Sequence, residues 1–136
     1  MQRASCGADA LESLIRTAAE HYGARMDELR LAYMVPQVGA AGATPLDAEA
    51  LQQIRPFNDR MYGAVADKIA LDQAAGRIAK DVDGRRLAFL AHMSVLGVLT
   101  IEGLVEASGD APLIHGRGAM VDELVRTYRA RLSANG

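Results

Sequence analysis

Between Arg85 and Val105 the chain has apolar residues on every side of a helix: Leu87, Phe89, Leu90, Met93, Val95, Leu96, Val98, Leu99, Ile101, Leu104 and Val105. A helix that is apolar all round has to be covered all round. The whole chain is 136 residues long, which is enough for one domain and one core. Two arrangements satisfy the covering requirement. Either this segment is a central core helix, or its outer face packs against a second subunit. Ala88, Ala91, Ser94 and Gly97 recur every third residue and form a ridge of small side chains along which another helix can approach closely.

The rest of the chain agrees with a helical architecture. Apolar residues make up 50 % of the sequence, but aromatics only 4 %, and tryptophan is absent. Ala and Leu dominate the apolar set, and these lead the helix-propensity scale. No segment shows the sustained alternation of a half-buried strand. The expectation is therefore an all-α fold, with residues 1–136 forming a single domain.

Helix signals punctuate the chain at regular intervals. Asp9 and Glu12 have the spacing of a capping box, and Leu11, Leu14, Ile15, Ala18, Ala19 and Tyr22 follow on one helical face, with Gly23 ending or bending the element. A shorter helix carries Met26, Leu29, Tyr33 and Met34 and stops before Pro36. Residues 36–44 contain no charge and read as a loop. Thr44-Pro45-Leu46-Asp47 then supplies a capping hydroxyl, a proline at the first helical position and a carboxylate. The spacing predicts one kinked helix from about 45 to 75, or two helices meeting at Pro56, with Gly76 closing the element. Asp83 is the expected N-cap of the apolar segment. Ser108, Gly109, Asp110 and Pro112 mark a turn, and a last helix runs from about 118 to 133 with Val121, Leu124, Val125, Tyr128 and Leu132 on one face.

Charge and chemistry narrow the function classes. Fifteen Lys and Arg against 17 Asp and Glu leave a net charge of −2, a poor match for a protein that neutralises nucleic-acid phosphates. The single cysteine, Cys6, provides neither an intramolecular disulfide nor a thiolate zinc site. Asp81, Asp83 and Gly84 lack the remaining ligands of a calcium loop, and no phosphate-binding or nucleophile-elbow motif occurs. No second catalytic partner can be named for any histidine, so the chain reads as a non-enzyme without metal or cofactor. No apolar run is counted as long enough to cross a bilayer, and no leader is visible, so the expectation is a cytoplasmic protein without membrane contact.

Polar and aromatic residues that interrupt apolar stripes collect around Pro56: Arg55, Phe57, Asn58 and Tyr62. His92 does the same within the apolar helix. It is either a core histidine bonded to a neighbour or a polar contact for a ligand. With the methionines beside them, Phe57, Asn58, Met61, Tyr62, His92, Met93 and Leu96 are the candidate lining of a small-molecule pocket, apolar with a few polar groups. The competing reading is that the Met and Tyr residues simply fill the core.

Residues 76–99, GRIAKDVDGRRLAFLAHMSVLGVL, resemble the C-terminal regulatory domain of TetR-type transcriptional regulators. There, a glycine and a charged link with an acidic N-cap precede a long apolar helix with a mid-helix glycine. Leu11 to Pro36 and Met120 to Leu132 resemble the first and last regulatory helices, so the likeness spans about residues 8–133. It implies a helical bundle in which the last two helices, about 84–106 and 118–133, form a four-helix bundle across a two-fold axis. Ala88, Ala91, Ser94, Gly97, Val121, Leu124, Val125 and Tyr128 are the expected interface, and a small apolar effector is held among the other helices. The family's N-terminal helix-turn-helix has no counterpart here, so DNA contact is expected only if such a unit is encoded upstream. The alternative is a stand-alone helical module that binds a small molecule or a protein and takes no part in DNA binding.

Overall fold

The computed structural model describes residues 4–29, 48–108 and 115–133. They form helices α1 (Gly7–Gly23), α2 (Met26–Leu29), α3 (Ala48–Ala74), α4 (Gly84–Ser108) and α5 (Arg117–Leu132), with no strand among the described residues. The architecture is an all-α bundle. α1 and α4 pack on each other, and each also packs on both α3 and α5. The expected loop at 36–44, the start signal at 44–47 and the turn beyond Ser108 lie outside the described residues.

α1 buries the face its periodicity predicts: Leu11, Leu14, Ile15, Ala18 and Ala19 are all in the core. Its start differs from expectation. The helix begins two residues before Asp9, with Cys6 as an extended N-cap that makes no side-chain cap bond. No capping box forms. Asp9 instead accepts a hydrogen bond from Ser5 Oγ, and Glu12 pairs with Arg16 and Arg129. The amide that α1 leaves open at Gly7 donates to Asp72 Oδ2 on α3, at 2.7 Å. A carboxylate distant in sequence thus serves the positive end of α1. This is possible because the two backbones nearly touch: a Cβ on Gly7 would lie 2.8 Å from Ile69 Cγ1 and 3.0 Å from Ile69 Cα.

α3 runs without interruption through Pro56 to a glycine stop. Gly76 takes φ +72°, its amide bonds to Gln73 O, and the Arg77 amide bonds to Asp72 O at 2.8 Å. This pair of bonds is a Schellman motif. The Arg77 side chain then folds back onto the buried Asp72 carboxylate. The Gly7 amide, and after it the Arg77 guanidinium, hold that carboxyl below the usual carboxylate range. Gln73 Nε2 donates to the carbonyls of Ala79 and Val82, which fixes the link that Ile78 and Val82 anchor in the core. Asp83 caps α4 as expected, with its Oδ1 accepting from the Arg86 amide at 3.0 Å.

α4 divides into two faces. Ala88, Ala91, His92, Val95, Leu96 and Leu99 are buried in the chain's own core, while Phe89, Leu90, Met93 and Ile101 are 37–48 % exposed and Gly97 is exposed beside them. The expected interface is corrected accordingly. Ala88 and Ala91 are fully enclosed and Val121 and Val125 are buried, so all four pack within this chain. Of the ridge of small residues, Ala88 and Ala91 pack within this chain's own bundle, whereas nothing lies within 4 Å of a would-be Cβ on Gly97. Ser94, Leu124 and Tyr128 are half-buried at the edge where α4 meets α5. The expectation of no bilayer-length segment is also corrected. Gly84–Gly103 is long and apolar enough by length and composition to cross a membrane, and 44 % of its most apolar window is buried within the bundle. Counting uninterrupted apolar residues missed it because Ser94, His92 and Gly97 divide the run.

Candidate functional site

Three helices bring a cluster of rings together in the bundle. Tyr22 comes from the last turn of α1, Tyr62 from the middle of α3, and His92 from the inner face of α4. Each position follows from its helical stripe. Tyr22 continues the buried row of α1, Tyr62 lies one turn before Val65 and two before Ile69, and His92 follows Ala91. His92 is 2 % exposed and Tyr62 7 %.

The Tyr62 hydroxyl and His92 Nδ1 lie 2.6 Å apart and are hydrogen-bonded. Tyr22 stacks on the imidazole with a centroid distance of 5.7 Å and an interplanar angle of 23°. Phe89 meets the Tyr62 ring edge-on at 5.8 Å. Burial alone pushes the His92 imidazole below its ordinary pKa, so the neutral ring is the folded form at neutral pH. His21 packs edge-on against Tyr22 from the solvent side, and His115 is exposed ahead of α5.

Of the candidate pocket residues, Tyr62 and His92 are brought into direct contact. Asn58 and Met61 are half-buried on the same helix one turn before and beside Tyr62, and Met61 packs against the core. Leu96 is buried one turn after His92. Met93 does not belong to the group. It is 37 % exposed on the outer face of α4, because one residue beyond His92 turns the side chain about 100° around the helix. The side chain of Phe57 lies outside the described residues. Tyr22 was missed as a site residue because its register matched the apolar face of α1 and so read as core. The available signal was a second tyrosine ending a buried stripe beside a glycine.

A second half-buried polar contact joins α4 to α5. Ser94 Oγ donates to Leu90 O at 2.8 Å and lies 2.9 Å from the Tyr128 hydroxyl. Nearby, Arg117 pairs with Glu102 at 2.6 Å. Its guanidinium also lies against Gly23, where a Cβ would fall 2.6 Å from Nη1, so a side chain there would displace it. Among the described residues no group of three or more His, Cys, Asp or Glu side chains could hold a metal ion.

No protein family, no curated protein and no solved structure matches this chain.

Proposed function

We propose that this chain is a self-associating sensor domain of the TetR-like regulatory type, in which two copies pair through the outer face of α4 and each holds a small apolar effector beside the Tyr62–His92 pair. The observation that carries the reading is the bare side of α4. Leu90, Met93, Gly97 and Ile101, spaced 3, 4 and 4 apart, form an exposed apolar stripe on a helix whose opposite face is already core. Covering a large apolar side chain is worth about 1.5–3 kcal/mol when it passes from full exposure to full burial. The side chains of this stripe are partly covered already, so each gains a fraction of that. A two-fold axis near Gly97 suits the stripe, since the absent side chain allows the two helices to cross closely and nothing lies within 4 Å of its would-be Cβ. Ser94 and Tyr128 would then stand at the rim of the contact, leaving Ala88, Ala91, Val121 and Val125 inside each protomer.

The sensing half of the reading rests on the polar ring cluster. A hydrogen-bonded Tyr–His pair among apolar side chains is suited to orienting a ligand that is itself mostly apolar. An effector that prefers one helix arrangement would shift the population toward it and alter the pairing of α4 with its twin. In the regulator reading, DNA is contacted by a helix-turn-helix encoded ahead of Met1, which the genomic sequence upstream in the same frame reveals or excludes.

Sedimentation equilibrium tests the pairing. Wild-type protein should sediment at twice its 14.5 kDa. The double variant Leu90→Glu, Ile101→Glu should sediment as a monomer with unchanged helical circular dichroism, because charge replaces apolar surface at the contact. A wild-type monomer, or a double variant that remains dimeric, overturns the reading.

A further inference from the structure

His92 has two ring nitrogens, and only one has a partner. Nδ1 bonds to Tyr62, whereas no hydrogen bond reaches Nε2 among the described residues. Among those same residues, no fully enclosed side-chain nitrogen or oxygen lacks a partner. Among the described residues Nε2 is therefore the ring atom of this buried histidine that is neither bonded nor fully enclosed. The direction of the Tyr62 bond follows from relative acidity. A phenol is the stronger hydrogen-bond donor and an unprotonated imidazole nitrogen the stronger acceptor. On that ordering Tyr62 would donate and Nδ1 accept, which would leave the hydrogen of the neutral ring on Nε2.

Taking the sensing reading above as its premise, we propose that His92 Nε2–H is the group that selects the effector, and that the effector is an uncharged, mainly apolar molecule bearing a carbonyl-type hydrogen-bond acceptor. The surroundings explain each term. The Tyr22 ring stacked on the imidazole and the buried Leu96 one turn further along α4 make the surroundings apolar, which favours a ligand that is mostly hydrocarbon. No charged group contributes to the displacement of the His92 pKa, so the ring offers an ionic ligand no counter-charge. A pure hydrocarbon leaves the Nε2–H without a partner in a desolvated place, and a ligand that can only donate meets a second donor.

The test uses acetophenone and ethylbenzene, two molecules of similar size of which only the first carries an acceptor oxygen. Binding is followed on full-length protein with 15N-labelled histidine, and the ring nitrogens of His92 are read by long-range 1H–15N correlation. In the free protein the shifts should report hydrogen on Nε2 and an accepting Nδ1. Acetophenone should move the Nε2 signal saturably and bind about tenfold more tightly than ethylbenzene, the effect of one unpaired buried donor. His21 and His115 should not move. The variant His92→Phe should bring the two probes to parity. If that variant does not fold, the tautomer and the probe ratio in wild type decide the matter. Equal binding of the two probes, equal movement of all three histidines, or hydrogen on Nδ1 overturns the acceptor assignment and leaves the sensing reading standing. Failure of both probes to bind overturns the two together.

Discussion

α4 and α5 both pack on α1 and on each other, and both turn a side outward, yet they finish that side in opposite ways. α5 buries Val121, Val125 and Leu132 and carries six charged residues on its outward side among small and polar ones: Asp122, Glu123, Arg126, Arg129 and Arg131, with Arg117 at its start. Arg129 pairs with Asp9 and Glu12, Arg16 reaches Asp122, and Arg131 meets Asp81. α4 leaves Phe89, Leu90, Met93 and Ile101 partly bare. The two helices share one chain and one bundle, so α5 shows how this protein treats a face that stays in water. Elsewhere among the described residues a large apolar side chain stands out singly, Leu71 on α3, whereas on α4 four are grouped along one helix. It is this grouping on α4 that the proposed pairing would cover.

The sharpest way to break the contrast is to truncate one residue on each face of α4. Leu99 is fully enclosed, and Leu99→Ala should cost about 2–5 kcal/mol, read as a large fall in the denaturation midpoint. Ile101, two positions on and 48 % exposed, should cost the isolated protomer less than about 0.5 kcal/mol when changed to Ala, while weakening self-association. Equal losses in a protomer held monomeric by dilution would show that the outer face is already covered by its own chain.

A smaller effect is expected at the ring cluster. Tyr62→Phe removes the partner of a buried imidazole nitrogen and should cost about 1–3 kcal/mol. His92 adds a pH dependence whose sign follows from its displacement. The folded pKa lies below the ordinary value near 6.5, so in the interval between the two the unfolded chain binds the proton and the folded chain does not. The stability contributed by a neutral His92 is complete above about pH 6.5 and is lost as pH falls from there toward the folded pKa. Urea midpoints between pH 8 and pH 5 should decline for wild type and decline less for His92→Phe. A flat wild-type profile would remove the desolvated histidine from the account.

The smallest effect belongs to α5. Arg129→Ala breaks two ion pairs between half-exposed partners, and such exposed pairs are worth about 0.2–1 kcal/mol. The loss should shrink further in 1 M salt, where charges are screened over about 3 Å. A loss of several kcal/mol would mean that the charged covering of α5 is structural in the way the core is, and the contrast with α4 would fade.

Much of the bundle was readable because its signals are local. The Gly76 stop and the Asp83 cap depend on residues within a few positions of the helix end, and both form as expected. The start of α1 was misread for the complementary reason. Asp9 and Glu12 have capping-box spacing, but the Gly7 amide is satisfied by Asp72, 65 positions away. That bond exists only because Gly7 allows α1 to press against the backbone at Ile69. The site was half legible. Tyr62 and His92 stood out as polar breaks in apolar stripes, whereas Tyr22 did not, and Met93 was assigned to a pocket that its helical register turns away from.

By itself, the sequence determined that the chain is helical and that one of its helices is too apolar to be left uncovered, because propensity, capping and hydrophobic content are properties of residues and their near neighbours. Which side of that helix is covered from within was decided only when α1, α3 and α5 packed against it, with His92 turned inward and Met93 outward. Periodicity defines faces relative to one another, but their direction is set by contacts between segments far apart in the chain, and those contacts exist only in the folded molecule.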